Sequence, residues 1–138
     1  MIAKFAFPLF VAAVALPGCH SRPDKPTGDS VKIVSVPEVA RFVEEKSAVI
    51  YDANGAETRQ QYGVVPGAVL LTNHKDYALS ELPPEKSKPL VFYCGGTACR
   101  ASDKAADRAA GAGYTNVNVM REGIKGWASA GQKTVPQT

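Results

Sequence analysis

Short apolar runs alternate with longer stretches whose apolar positions recur at helical spacing, from residue 31 to about residue 130. Val31 to Val34 opens the pattern as a strand. Ser35-Val36-Pro37-Glu38 then reads as a helix start, because Ser35 can cap, Pro37 suits the first turn and Glu38 completes a capping box. That helix is predicted to reach about Lys46, with Val39, Phe42 and Val43 on one face. Ala48 to Ala53 is a second strand, apolar enough for a sheet interior, with Asp52 at its end. Asn54-Gly55 signals a turn, Ala56 to Tyr62 a short polar helix, and Val69 to Thr72 a third strand. Asn73 to Ser80 is expected as a short helix, and the prolines of 82–87 mark a loop. Pro89 to Tyr93 is a buried strand and Ala101 to Ala112 an alanine-rich helix, stopped by Gly111 and Gly113. Asn116 to Met120 is the fifth strand, Gly123 to Ala130 the last helix, and Gln132 to Thr138 a tail expected to fray.

Strands and helices in this order predict an α/β domain: a mainly parallel five-stranded sheet with helices on both faces. Ligands of such sheets bind beyond the carboxyl ends of the strands. Residues 31–131 form this domain, preceded by a polar tether over 19–30 that carries two prolines and a glycine. Residues 1–18 read as a signal peptide, with Lys4 near its start and an apolar run from Phe5 to Leu16 that is too short for a permanent membrane span.

Composition changes this picture little. With 138 residues, 45% of them hydrophobic, and a formal net charge of +3, the chain has room for one compact domain. No basic block and no interleaving of basic and aromatic residues points to nucleic acid. His74 stands without a second histidine in the domain or cysteines at metal-ligand spacing, so it reads as a surface residue and no metal or cofactor is expected. His20 is a solvated tether residue.

The chemistry concentrates in one run, Cys94-Gly95-Gly96-Thr97-Ala98-Cys99-Arg100, between a strand and a helix. Backbone N–H groups at a helix start have no intrahelical partner, and with a glycine-rich turn they can converge on an anion. An ordinary cysteine has a pKa of about 8.5, and ionising it at neutral pH takes a shift of roughly two units, or about 2.7 kcal/mol. A helix terminus supplies about 0.3–1 kcal/mol. Direct N–H bonds to the sulfur and the guanidinium of Arg100 are therefore expected to provide the rest.

With these elements in place, the sequence from about Val31 to Gly131 resembles the single-domain rhodanese (sulfurtransferase) family. Three blocks carry the resemblance. Asp52 with Tyr62-Gly63-Val64-Val65-Pro66-Gly67-Ala68 is similar to the family's first signature, an aspartate followed by Gly-His-Ile-Pro-Gly-Ala. Phe92-Tyr93-Cys94 with its loop and helix is similar to the active-site block. Gly113 to Val117, with Glu122-Gly123-Ile124-Lys125-Gly126-Trp127 and Ala130-Gly131, is similar to the terminal signature, in which Trp127 packs in the core. Val64 stands where the family usually has histidine and Asn54 where many members have arginine, so no polar role carries over to either.

The resemblance implies sulfur transfer through a Cys94 persulfide, from thiosulfate or a related donor to a thiol or cyanide acceptor. The amides of Gly95, Gly96, Thr97, Ala98, Cys99 and Arg100 would bind the sulfur, and Arg100 would attract the donor anion. The partners are then a small sulfur-containing anion and a thiol acceptor. Arg100 comes six positions after Cys94, a longer spacing that resembles the related dual-specificity phosphatases. Phosphatase or arsenate chemistry, with Asp76 or Glu57 as unplaced acid candidates, therefore stays open, as does a domain used only for binding. Cys99 and Ser102, with Lys104-Ala105-Ala106, resemble a rhodanese subgroup with a second loop cysteine. Cys99 would allow a disulfide with Cys94 if their Cα atoms come within about 4.4–6.8 Å, whether to resolve the persulfide, to protect Cys94 or to switch it off.

Leu16-Pro17-Gly18-Cys19 resembles a bacterial lipoprotein lipobox, which implies cleavage before Cys19 and lipid attachment to it. The expected location is outside the cytoplasm on a membrane, and the absence of aspartate after Cys19 favours the periplasmic side of the outer membrane. Intact-mass analysis of chain purified from membranes is expected to show a protein that begins at Cys19 and carries several acyl chains. A chain cleaved elsewhere and free of lipid overturns that expectation.

Overall fold

Val91 and Tyr93 face one side of the sheet and Leu90 and Phe92 the other, and all four are buried, so their strand must lie inside two layers of helix. The computed structural model, which describes residues 30–137, places them there. The expected signal peptide, the lipid site at Cys19 and nearly all of the tether lie outside the described residues. Five strands, β1 (Val31–Ile33), β2 (Val49–Asp52), β3 (Val69–Leu70), β4 (Leu90–Tyr93) and β5 (Val117–Met120), form one sheet in the order β1-β5-β4-β2-β3. Every pair in it is parallel. The register sets Asp52 beside Tyr93 and Tyr93 beside Met120 at the carboxyl end.

Four helices cover the faces: α1 (Val36–Glu45), α2 (Ala56–Tyr62), α3 (Ala101–Gly111) and α4 (Gly123–Ser129). Helix α3 lays Ala105, Ala106, Ala109 and Ala110 against Tyr51, Leu90, Phe92, Val117 and Val119. The small alanine side chains let its backbone approach the sheet closely. On the opposite face Val36 and Val39 of α1 and Ile124 and Trp127 of α4 pack on Ile50, Val91, Tyr93 and Met120, with Phe42, Val43 and Tyr62 at the margin. The start of α1 forms as expected: the Glu38 carboxylate accepts from the Ser35 N–H at 2.8 Å and from its hydroxyl at 2.7 Å. Those bonds, the backbone one foremost, lower the Glu38 pKa below the usual carboxylate range. No helix among the described residues is long and apolar enough to cross a membrane.

Two local expectations are corrected. Residues 73–80 form no α-helix; a turn is followed by a single 3-10 turn, Leu79–Glu81. Side chains there take the amides that a helix would use. Asn73 Oδ1 accepts from Lys75 at 2.8 Å and Asp76 at 3.3 Å, and Glu81 reaches back to Ala78 at 3.1 Å and Thr72 at 3.2 Å. The tail is also held where fraying was expected. Val64 and Val135 pair antiparallel through N–H···O bonds of 2.8 and 2.9 Å, and the Trp127 indole donates to the Lys133 carbonyl at 2.8 Å.

Ile124 is fully buried beneath α4, so Ile124→Ala is expected to lower stability by about 2–5 kcal/mol in urea unfolding. A loss under about 1 kcal/mol would show that α4 is not packed on the sheet as described.

Candidate active site

Cys94 is the first residue beyond β4, the central strand of the sheet, and is 1% exposed. The loop from Gly95 to Arg100 then leads into α3, with Arg100 at the N-cap. What shapes this loop comes from the other end of the domain. The first turn of α4 donates to it, Ile124 N–H to the Cys94 carbonyl at 2.8 Å and Lys125 N–H to the Gly95 carbonyl at 3.1 Å. These amides would otherwise lack an acceptor. A trans peptide sets its N–H opposite its C=O, so the N–H groups of Gly95 and Gly96 point away from α4. The Gly96 carbonyl accepts from Cys99 N–H at 3.0 Å, which closes the loop on itself. Among the described residues, the amides of Gly95, Gly96, Thr97, Ala98 and Arg100 donate to no protein acceptor.

Gly123 makes this contact possible. Its φ is +62°, and a Cβ there would lie 2.5 Å from the Cys94 oxygen and 2.6 Å from the Gly96 nitrogen. The Lys125 stem passes along Gly96, 3.6 Å from where a Cβ would be, and its ammonium lies over the Tyr62 ring. Lys125 is thus a cation packed on the loop, a part that sequence reasoning did not assign.

The candidate residues are not all drawn together. Cys94 and Cys99 are joined as a disulfide, with Cα atoms 6.3 Å apart, inside the range required for the pair. Ser102, buried in the first turn of α3, places Oγ 3.3 Å from Cys94 Sγ; with no hydrogen on that sulfur, the hydroxyl donates. Gly95 and Gly96 are half-buried, whereas Thr97 and Ala98 are exposed. The Arg100 guanidinium, expected to face the donor anion, instead bonds Asp103 at 2.9 Å with its side chain 66% exposed. Asp103 is one turn along the same helix and also meets Arg121 at 3.4 Å, so the two arginines share one acidic group at the surface. Glu57 and Asp76 are exposed.

A buried polar cluster supports the floor of the loop. Tyr93 Oη donates to Asp52 Oδ2 at 2.6 Å and accepts from Val65 N–H at 3.0 Å. Asp52 Oδ1 accepts from Asn54 N–H at 2.7 Å and Arg59 Nε at 3.2 Å. Arg59 Nη2 also donates to the carbonyls of Asp52 and Leu71. Burial, and then the adjacent Asp52 charge, push the Tyr93 pKa far up, so it stays a neutral donor. Asn54, which follows, sets its Oδ1 3.7 Å from the Cβ position of Gly95. Among the described residues, its buried Nδ2 has no partner. Arg59 was invisible in the sequence, since a lone arginine in a polar helix looks solvated; the only signal was an aspartate ending an apolar strand.

A parallel α/β sheet whose central strand ends in a cysteine, with a loop of undonated amides leading to a helix, defines a class of small domains built around a strand-end thiol. The family model of the rhodanese-like domain matches residues 35–130, and the chain belongs to that family. It is 29% identical over 101 residues to the uncharacterized protein YibN of Escherichia coli strain K12, spanning 71% of this chain and 68% of that one. Its fold is similar to the thiosulfate sulfurtransferase of Pseudomonas aeruginosa (TM-score 0.64, 23% identity, 78% of this chain and 21% of that one). It is similar again to the polysulfide-sulfur transferase of Wolinella succinogenes (TM-score 0.62, 16% identity, 79% of this chain and 81% of that one). At these identities the structural likeness shows the fold alone.

Gly123→Ala is expected to cost more stability than Gly113→Ala. Both residues have positive φ, but only Gly123 has backbone within 3 Å of the added methyl. Equal unfolding midpoints for the two variants would show that the contact between α4 and the loop does not restrain the site.

Proposed function

We propose that this chain is a sulfurtransferase that moves sulfane sulfur from thiosulfate or a related anion to a thiol or cyanide acceptor through a persulfide on Cys94. The observation that carries this reading is the placement of a cysteine where the central strand ends, before a loop in which the amides of Gly95, Gly96, Thr97, Ala98 and Arg100 have no acceptor among the described residues. In the reduced form, the Cys94 thiolate attacks the outer sulfur of thiosulfate; a new S–S bond forms, the old one breaks, and sulfite leaves with the electron pair. An acceptor thiolate or cyanide then attacks the outer sulfur of the persulfide and regenerates the Cys94 thiolate. Free loop amides favour the anionic donor and the terminal sulfur, and the first turn of α3 adds its dipole. Arg100 and Lys125, both exposed beside the loop, are the cations we assign to drawing the anion toward it. Family membership supports the sulfurtransferase class. Export and a lipid anchor at Cys19 remain our proposal for its location, supported by the residues of the N-terminal segment alone.

Reduced chain incubated with thiosulfate is expected to gain the mass of one sulfur atom on Cys94 and to release sulfite. Cys94→Ser should do neither. Absence of added sulfur on a thiol shown to be reduced overturns the proposal, and Cys94-dependent hydrolysis of an aryl phosphate would move the assignment to phosphatase chemistry.

A further inference from the structure

We propose that Cys99 is an internal acceptor that resolves the Cys94 persulfide, so that the chain converts sulfane sulfur to hydrogen sulfide and closes to the Cys94–Cys99 disulfide. The inference rests on the sulfurtransferase reading and adds an activity to it.

Three features of the loop carry it. The first is proximity. Cys99 lies five residues from Cys94, their Cα atoms are 6.3 Å apart and their sulfurs are in bonding contact. The bonds from Ile124, Lys125 and Cys99 to the loop carbonyls hold that arrangement in place. A sulfur added to Cys94 leaves Sγ of Cys94 where it was, within reach of the Cys99 thiolate. Held groups of this kind react at effective concentrations far above those of free thiols in solution.

The second feature is unequal access. Cys94 is 1% exposed, whereas Cys99 is half-buried at the mouth of the loop. A large external thiol therefore meets Cys99 more readily than the persulfide behind it. The third is the setting of each sulfur. Cys99 immediately precedes the N-cap of α3. Ser102 Oγ, 3.3 Å from Cys94 Sγ, can donate to that sulfur when it becomes the leaving group.

The steps balance. Cys94 thiolate takes the outer sulfur of thiosulfate and sulfite departs. The persulfide takes one proton from water; Cys99 thiolate then attacks Cys94 Sγ, the Sγ–Sγ bond forms, the bond to the sulfane sulfur breaks, and hydrosulfide leaves with the electron pair and that proton. In sum the dithiol and thiosulfate yield the disulfide, sulfite, hydrosulfide and one proton. The sulfane sulfur is reduced and the two cysteines are oxidised. Turnover needs an external dithiol reductant, which attacks the accessible Cys99 Sγ and expels Cys94 as thiolate, with the Ser102 hydroxyl bonded to it.

The test is a single turnover without external thiol. The full chain is reduced, freed of reductant and mixed with thiosulfate, and sulfite, sulfide and intact mass are followed. Wild type is expected to release about one sulfide per chain and to end as the Cys94–Cys99 disulfide by peptide mapping, while Cys99→Ser and Cys99→Ala retain the persulfide and release less than about one tenth as much. All three chains carry the same Cys19, acylated or free, so sulfide drawn out by it appears equally in each. A wild-type chain that keeps its persulfide with Cys99 still titratable, or variants that release sulfide as wild type does, overturns this inference alone. Failure of every chain to release sulfite and take up sulfur overturns the sulfurtransferase reading and this one with it.

Discussion

Two hydrogen bonds from the first turn of α4 hold the carbonyls of Cys94 and Gly95, and the geometry of the loop follows from them. Because peptide planes are rigid, fixing where two carbonyls point also fixes where the next two amides do not point. The same bonds satisfy helix-end donors that would otherwise be buried without partners. They require that α4 meet the loop with no side chain between, and Gly123, at a positive φ, is the residue that allows this. A contact between parts of the chain nearly thirty residues apart thus shapes a segment whose own residues are mostly glycine, alanine and threonine.

Beneath the loop, the Asp52–Tyr93–Arg59 cluster ties the carboxyl ends of β2 and β4 to the last turn of α2 and to Leu71 beyond β3. A buried ion pair costs desolvation that its attraction only partly offsets, so it is weak evidence of net stabilisation. Its geometry is the more informative aspect. Asp52 has both carboxylate oxygens engaged, and losing any one partner would leave a charge or donor buried alone. Such a cluster tolerates one arrangement of the strand ends. The thiol next in sequence is set down in a fixed place.

The surface charges near the loop behave differently. Arg100 and Arg121 share Asp103 in water, where ion pairs contribute about 0–1 kcal/mol. Pairs that weak orient side chains without committing the fold. Lys125, exposed as well, runs its stem along Gly96 and sets its ammonium over the Tyr62 ring.

The architecture was legible because each element announces itself locally. The capping box at Ser35 and Glu38, the unbroken apolar run of β4 and the alanines of α3 are patterns that short-range sterics and burial impose, and five strands with intervening helices leave few topologies. The position of Cys94 at a strand end was legible for the same reason. Where side chains compete for backbone amides, as Asn73 and Glu81 do around residues 73–80, the pattern misled. What only the tertiary structure decided were the partners: Arg59 on Asp52, Val135 on Val64, and α4 on the Cys94 loop. Charge and hydrogen-bonding groups mark a residue as needing a partner, but the choice of partner depends on which distant segments the packed sheet brings within hydrogen-bonding distance.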